Sequence, residues 1–119
     1  MEFRKFIKSF TYAYKGIKIV WKERNFKFHI LATFLVLILA YILKVSNIEF
    51  IILILTISIV LMAEMINTAI EIICNLLRDK LNLGYHETEI PRDIGAAIVL
   101  VCAFCAVVIG GIIFLPKLF

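Results

Sequence analysis

Three apolar runs, at positions 28–43, 50–63 and 94–116, contain no Asp, Glu, Lys or Arg, and the second continues past Glu64 to Leu77 as an apolar run broken by polar side chains. An α-helix rises about 1.5 Å per residue, so roughly 20 residues cross a hydrocarbon core of about 30 Å. The pattern predicts three membrane-spanning helices, at about 28–45, 49–77 and 93–116. Ahead of them Phe3, Phe6, Ile7, Phe10, Tyr14 and Ile17 recur at helical spacing, with Arg4, Lys5, Lys8, Lys15 and Lys18 on the other side. This predicts an amphipathic helix over about 2–24 lying in the headgroup plane, with Trp21 as an interfacial aromatic. Gly16 is expected to bend or end that helix.

The connections fix the arrangement. Only positions 44–49 separate the first two spans, so they must run antiparallel. The 78–93 connection is longer and holds Gly84 and Pro91, the proline suiting the first turn of the third span, where a missing N–H costs nothing. Gly95, Ala96, Ala97, Gly110 and Gly111 let that span approach its neighbours closely.

Composition agrees. Of 119 residues 63% are hydrophobic, well above the roughly half of an ordinary soluble domain. The fold class is therefore all-α, an integral membrane protein with three transmembrane helices and an N-terminal surface helix in a single domain, 1–119. Of its 13 Lys and Arg, eight precede Phe28 and three lie between Arg78 and Arg92, leaving Lys44 and Lys117 for the opposite side. The positive-inside rule puts the N-terminus and the 78–93 loop in the cytoplasm. The net charge of +4 is then a topology signal, with attraction to anionic lipids secondary, and no nucleic-acid partner is expected. No cleavable signal peptide is expected in the charged, periodic N-terminus. Cys74, Cys102 and Cys105 read as small apolar side chains, with neither a disulfide framework nor a metal centre built on them.

The chemistry concentrates in AEMINTAIE, residues 63–71. Glu64, Asn67 and Glu71 stand at i, i+3 and i+7 and share one helical stripe, which Asn75 extends by a turn. With the span starting at Phe50, Glu64 lies roughly 9 Å below the cytoplasmic boundary, and Glu71 and Asn75 lie at or above it. An ionised, unpaired carboxylate at that depth costs several kcal/mol, so Glu64 is expected to face protein. Held there, it is placed to act as a general base on a hydroxyl at headgroup level, while a soluble reactant reaches Glu71 from water.

The plainer reading is that Glu64 and Asn67 make interhelical hydrogen bonds that fix the packing of an oligomer. Two glutamates and an amide on one face, with Glu23 at matching depth on the neighbouring helix, weigh against it. Transport is disfavoured because the first and third spans carry no ionisable residue at mid-depth. Glu23 and Glu71 could hold Mg2+, which typically takes one or two carboxylates plus phosphate oxygens and keeps several waters. Arg92 can neutralise phosphate charge or serve only as a positive-inside residue; His86 reads as an exposed loop histidine or a participant in catalysis.

Taken together, Lys15-Gly16, Glu23-Arg24-Asn25-Phe26 followed by His29, AEMINTAIE, His86 and Arg92-Asp93 resemble the small prokaryotic diacylglycerol kinase family, whose Gram-positive branch includes undecaprenol kinases. The resemblance runs from about Phe3 to the end of the third span. It implies a homotrimer with active sites shared between neighbouring subunits in the bacterial inner membrane, and phosphoryl transfer from Mg-ATP to a lipid alcohol, undecaprenol or diacylglycerol. It implies Glu64 as general base, Glu23 and Glu71 as Mg2+ ligands and Asn67 as an active-site amide that meets substrate. Asn67, Asn75, Arg92, Asp93 and His86 are implied at the nucleotide. No Gly-rich phosphate loop occurs, and none is needed where catalysis is mostly positioning and charge neutralisation.

Three positions depart from the family pattern: Asn75 where Asp is usual, Arg92 where Lys is usual, and Glu89 where a basic residue is common. Arg keeps the charge but changes its shape and reach. The leading expectation is an ATP-dependent lipid kinase preferring undecaprenol. The alternative is a weakened or inactive member serving as a non-enzymatic membrane assembly subunit, which Asn75 and Glu89 would suit.

Overall fold

A computed structural model describes residues 2–119. Four helices follow one another: α1 (Glu2–Trp21), α2 (Arg24–Ile42), α3 (Asn47–Leu81) and α4 (Glu89–Leu118), with one 3-10 turn, Tyr85–Thr88, ahead of α4. Three helices are long and apolar enough to cross a membrane: α2, α3 and the continuous Tyr85–Leu118 segment that contains α4. This is a multi-pass, all-helical membrane architecture.

α1 runs without interruption through Gly16, so the expected bend or stop there does not occur. A single glycine costs a helix only about 1 kcal/mol, less than the surrounding turns supply. The helix ends at Trp21, and Glu23 takes an extended conformation (φ −73°, ψ 131°) as the first residue capping α2. Its carboxylate makes no capping bond, which leaves it free for other partners. Val20 is the only buried residue of α1, and the Trp21 ring meets Phe26 edge-on at 6.1 Å between centroids.

The α2–α3 turn is closed by backbone geometry. Lys44 adopts a left-handed conformation (φ 53°), and the amides of Val45 and Lys44 donate to the carbonyls of Ala40 (3.2 Å) and Tyr41 (3.3 Å). That pairing is a Schellman motif, which satisfies the last carbonyls of α2. Ser46 then caps α3 reciprocally: its hydroxyl accepts from the Glu49 amide (3.2 Å) while its own amide donates to Glu49 Oε1 (2.8 Å). Lys117, near the end of α4, reaches the same Glu49 oxygen at 3.1 Å and ties the third long helix to the turn. Beneath these contacts lies a core of Ala40, Leu53, Ile113 and Phe114.

α3 and α4 pack along much of their length. The buried positions of α3, Leu53, Val60, Ala63, Glu64, Asn67, Thr68 and Cys74, recur at steps of one or two turns and form a single stripe, so the apolar seam and the polar stripe are one surface. At 35 residues α3 is roughly 50 Å long, well beyond what a bilayer core needs. The polar half of its stripe lies toward the end away from the capped turn.

Candidate active site

Glu64 is 3% exposed, so the expectation that it faces protein is met within one chain. Its contact is His29 on α2, Nε2 to Oε1 3.5 Å, an ion-pair distance when the imidazole is protonated. Glu71 follows two turns on along the same α3 stripe, and the exposed Glu23 precedes His29 at the head of α2. One turn on from Glu64, the Asn67 amide donates from Nδ2 to Glu71 Oε1 at 3.4 Å. Its carbonyl Oδ1 is buried with no hydrogen-bond partner among the described residues. The α4 backbone crosses directly against that oxygen: a Cβ on Gly95 would lie 2.5 Å from it, so any side chain there would have to displace the amide.

A second group sits further along α3. Arg92 donates from Nη2 to Asn75 Oδ1 (3.0 Å) and from Nε to Thr88 Oγ1 (3.1 Å), and its guanidinium lies over the Tyr85 ring, 5.1 Å from the centroid. All three contacts are neutral. The guanidinium is therefore held in place while its charge is left without a carboxylate among the described residues, unlike Arg78 with Asp79 or Lys117 with Glu49. Thr88 is 2% exposed; its hydroxyl donates to the Tyr85 carbonyl (3.1 Å), and its own carbonyl faces Cys74 Sγ at 3.9 Å. It pins the 3-10 turn against α3.

The structure thus sets Glu64, Asn67 and Glu71 along one stripe, with Asn67 bonded to Glu71, and separately joins Asn75 to Arg92, while Glu23 stands exposed at the head of α2. Asp93 is exposed without a side-chain partner among the described residues. His86 is almost fully exposed and pairs with Glu89 (Nδ1 to Oε2 3.0 Å), apart from the buried stripe. Among the described residues no three His, Cys, Asp or Glu side chains converge as a ready-made ligand set. Glu71, which no ion pair consumes, stands beside an orphaned amide oxygen, and Glu23 is likewise outside any ion pair. That donor set fits a cation which draws its remaining ligands from water and phosphate.

An apolar groove of about 370 Å³ opens between the three long helices. Its walls come from Thr33, Val36 and Leu39 of α2, Leu53, Thr56 and Val60 of α3, and Ala106, Gly110 and Phe114 of α4. At one end it is lined by His29 and Val60, the latter a turn from Glu64. His29 and Thr88 had not been singled out for these parts. His29 carried a usable signal: it and Glu64 lie at similar distances on either side of the short α2–α3 turn, so an antiparallel hairpin sets them at one depth. Thr88 carried none.

The family of prokaryotic diacylglycerol kinases matches over residues 11–114. The chain is similar to the undecaprenol kinase of Bacillus subtilis (strain 168), 40% identical over 98% of this chain and 94% of that protein. It is also similar to the diacylglycerol kinases of Synechocystis sp., 35% identical over 92% of this chain and 62% of that protein, and of Escherichia coli (strain K12), 32% identical over 89% and 85%. The chain belongs to the prokaryotic diacylglycerol kinase family.

Proposed function

From that membership we propose that the protein is a lipid kinase which transfers the γ-phosphate of ATP to the hydroxyl of a membrane lipid alcohol, undecaprenol in preference to diacylglycerol. The observation that carries this reading is the buried Glu64 carboxylate at the end of an apolar groove that follows the spanning helices. A lipid whose hydrocarbon chain lies in the groove brings its hydroxyl to Glu64 from the membrane side. The greater similarity to an undecaprenol kinase than to the diacylglycerol kinases supports the choice of acceptor.

Glu64 takes the hydroxyl proton as the lipid oxygen bonds to the γ-phosphorus and the bond to the β-phosphate oxygen breaks, releasing ADP. Asn67 holds Glu71 in place through its amide N–H, one turn from the carboxylate that meets the hydroxyl. Glu23 and Glu71 would hold Mg2+, which would supply neutralisation of phosphate charge. Arg92, fixed by Asn75, turns an uncompensated positive charge toward the phosphates, and Asp93 and His86 flank the nucleotide from the water side. The Lys and Arg distribution supports a cytoplasmic N-terminus in the bacterial inner membrane, with α1 on the headgroup plane, and family resemblance supports a homotrimer. The assembly-subunit alternative is not carried forward, because the acidic stripe is intact and the full-length relatives are enzymes.

The test is transfer of labelled γ-phosphate in lipid nanodiscs to undecaprenol, diacylglycerol and ceramide, with and without Mg2+. Mg2+-dependent transfer, fastest to undecaprenol, is expected. Transfer to none of them ends the reading, and a preference for diacylglycerol replaces the acceptor.

A further inference from the structure

The groove wall contains three polar side chains: His29, Thr33 and Thr56. Both threonine hydroxyls are committed to their own helices, Thr33 Oγ1 donating to the His29 carbonyl (2.8 Å) and Thr56 Oγ1 to that of Ile52 (2.7 Å). The His29 ring is therefore the one polar group of the wall that is free to act outside its helix, and it stands 3.5 Å from Glu64. Its other face is closed by Phe28, whose ring meets the imidazole edge-on at 5.6 Å between centroids. Side-chain exposures of 16% for His29 and 4% for Glu64 put this pair largely out of water.

We infer that His29 is a positioning residue for phosphoryl transfer, holding Oε1 of Glu64 so that Oε2 faces the acceptor hydroxyl delivered along the groove. This rests on the proposed lipid-kinase reading. A carboxylate in an apolar setting has two equivalent oxygens and several rotamers; an Nε2–H donor on one oxygen selects a single orientation. The same ring forms part of the wall past which the acceptor must move, so it couples the seat of the hydrocarbon chain to the aim of the base. His29 takes no part in bond making: the proton goes from the lipid hydroxyl to Glu64, as before.

The test compares His29→Phe, which preserves ring shape and apolar packing but has no N–H, with His29→Gln, which restores a donor without a ring. Both are assayed in nanodiscs with undecaprenol for kcat, for KM toward lipid and ATP, and for Tm. His29→Phe is expected to keep its Tm and its KM for ATP while kcat falls roughly tenfold to a hundredfold, the worth of one hydrogen bond to a charged group. His29→Gln is expected to recover part of that loss. A purely packing role predicts the reverse order, with Phe active and Gln impaired. Wild-type kcat in a folded His29→Phe variant overturns the inference. If His29→Phe does not assemble, His29→Leu serves as the donor-free variant, and wild-type kcat in it overturns the inference in the same way. Inactivity of the wild-type protein on every lipid would instead remove the lipid-kinase reading on which the inference stands.

Discussion

The two ends of α3 use the same kinds of polar residue to opposite effect. At the Ser46 end, hydroxyl, amide, carboxylate and ammonium complete one another: Ser46 and Glu49 cap reciprocally and Lys117 neutralises the carboxylate. Toward the other end the groups are left unfinished, with a buried carboxylate against a single imidazole, an amide oxygen without a partner, and a guanidinium held only by neutral contacts. Closed networks stabilise a fold, whereas buried unsatisfied groups cost stability and persist where function needs them. The difference separates a structural polar cluster from a site before any ligand is considered.

Four substitutions probe that contrast, in descending order of expected effect. Glu64→Gln keeps shape and removes the base; labelled phosphate transfer in nanodiscs should fall by about 10²- to 10⁴-fold with the assembled protein intact. Asn67→Ala should separate stability from activity. The lost oxygen satisfies nothing, so Tm should hold or rise, while kcat falls roughly tenfold or more because Glu71 loses its amide donor. Retained activity there would reclassify Asn67 as structural. Arg92→Met removes the uncompensated charge and should raise KM for ATP by about tenfold, with a smaller change in kcat, as measured by initial rates over a nucleotide series. At the closed end, Ser46→Ala should cost about 1 kcal/mol of stability, seen as a lowered Tm, and leave the kinetic constants unchanged. A kinetic effect of Ser46→Ala would blur the distinction between the two ends.

Much of this was readable in the chain. Apolar runs of bilayer length announced the three long helices, because a membrane leaves the backbone few other solutions. The stripe from Glu64 to Asn75 followed from helical periodicity, as did the burial of Glu64. The Ser46–Glu49 cap has the spacing of a capping box, yet its closure by Lys117 depends on where α4 ends. The Asn75–Arg92 contact was not legible, since it bridges 17 positions across a turn whose path is set by the burial of Thr88. What had looked like two separate departures from a pattern, an amide at 75 and a guanidinium at 92, proves to be one contact. The pairing of His86 with Glu89 was open to sequence reading, since the two stand three positions apart in one turn.

The rigidity of α3 has a consequence for the host membrane. The helix is anchored at its Ser46 cap and carries Glu64 on an unbroken rod, so the carboxylate stands at a fixed height of roughly 25 Å from that anchor. The opposite headgroup layer has no such fixed height. In a thicker bilayer the Glu64 carboxylate sinks below the headgroups, and in a thinner one it rises toward water, unless the helix tilts to compensate. On the proposed kinase reading, acyl chain length of the surrounding lipids thereby becomes a kinetic variable, and the protein measures membrane thickness with Glu64.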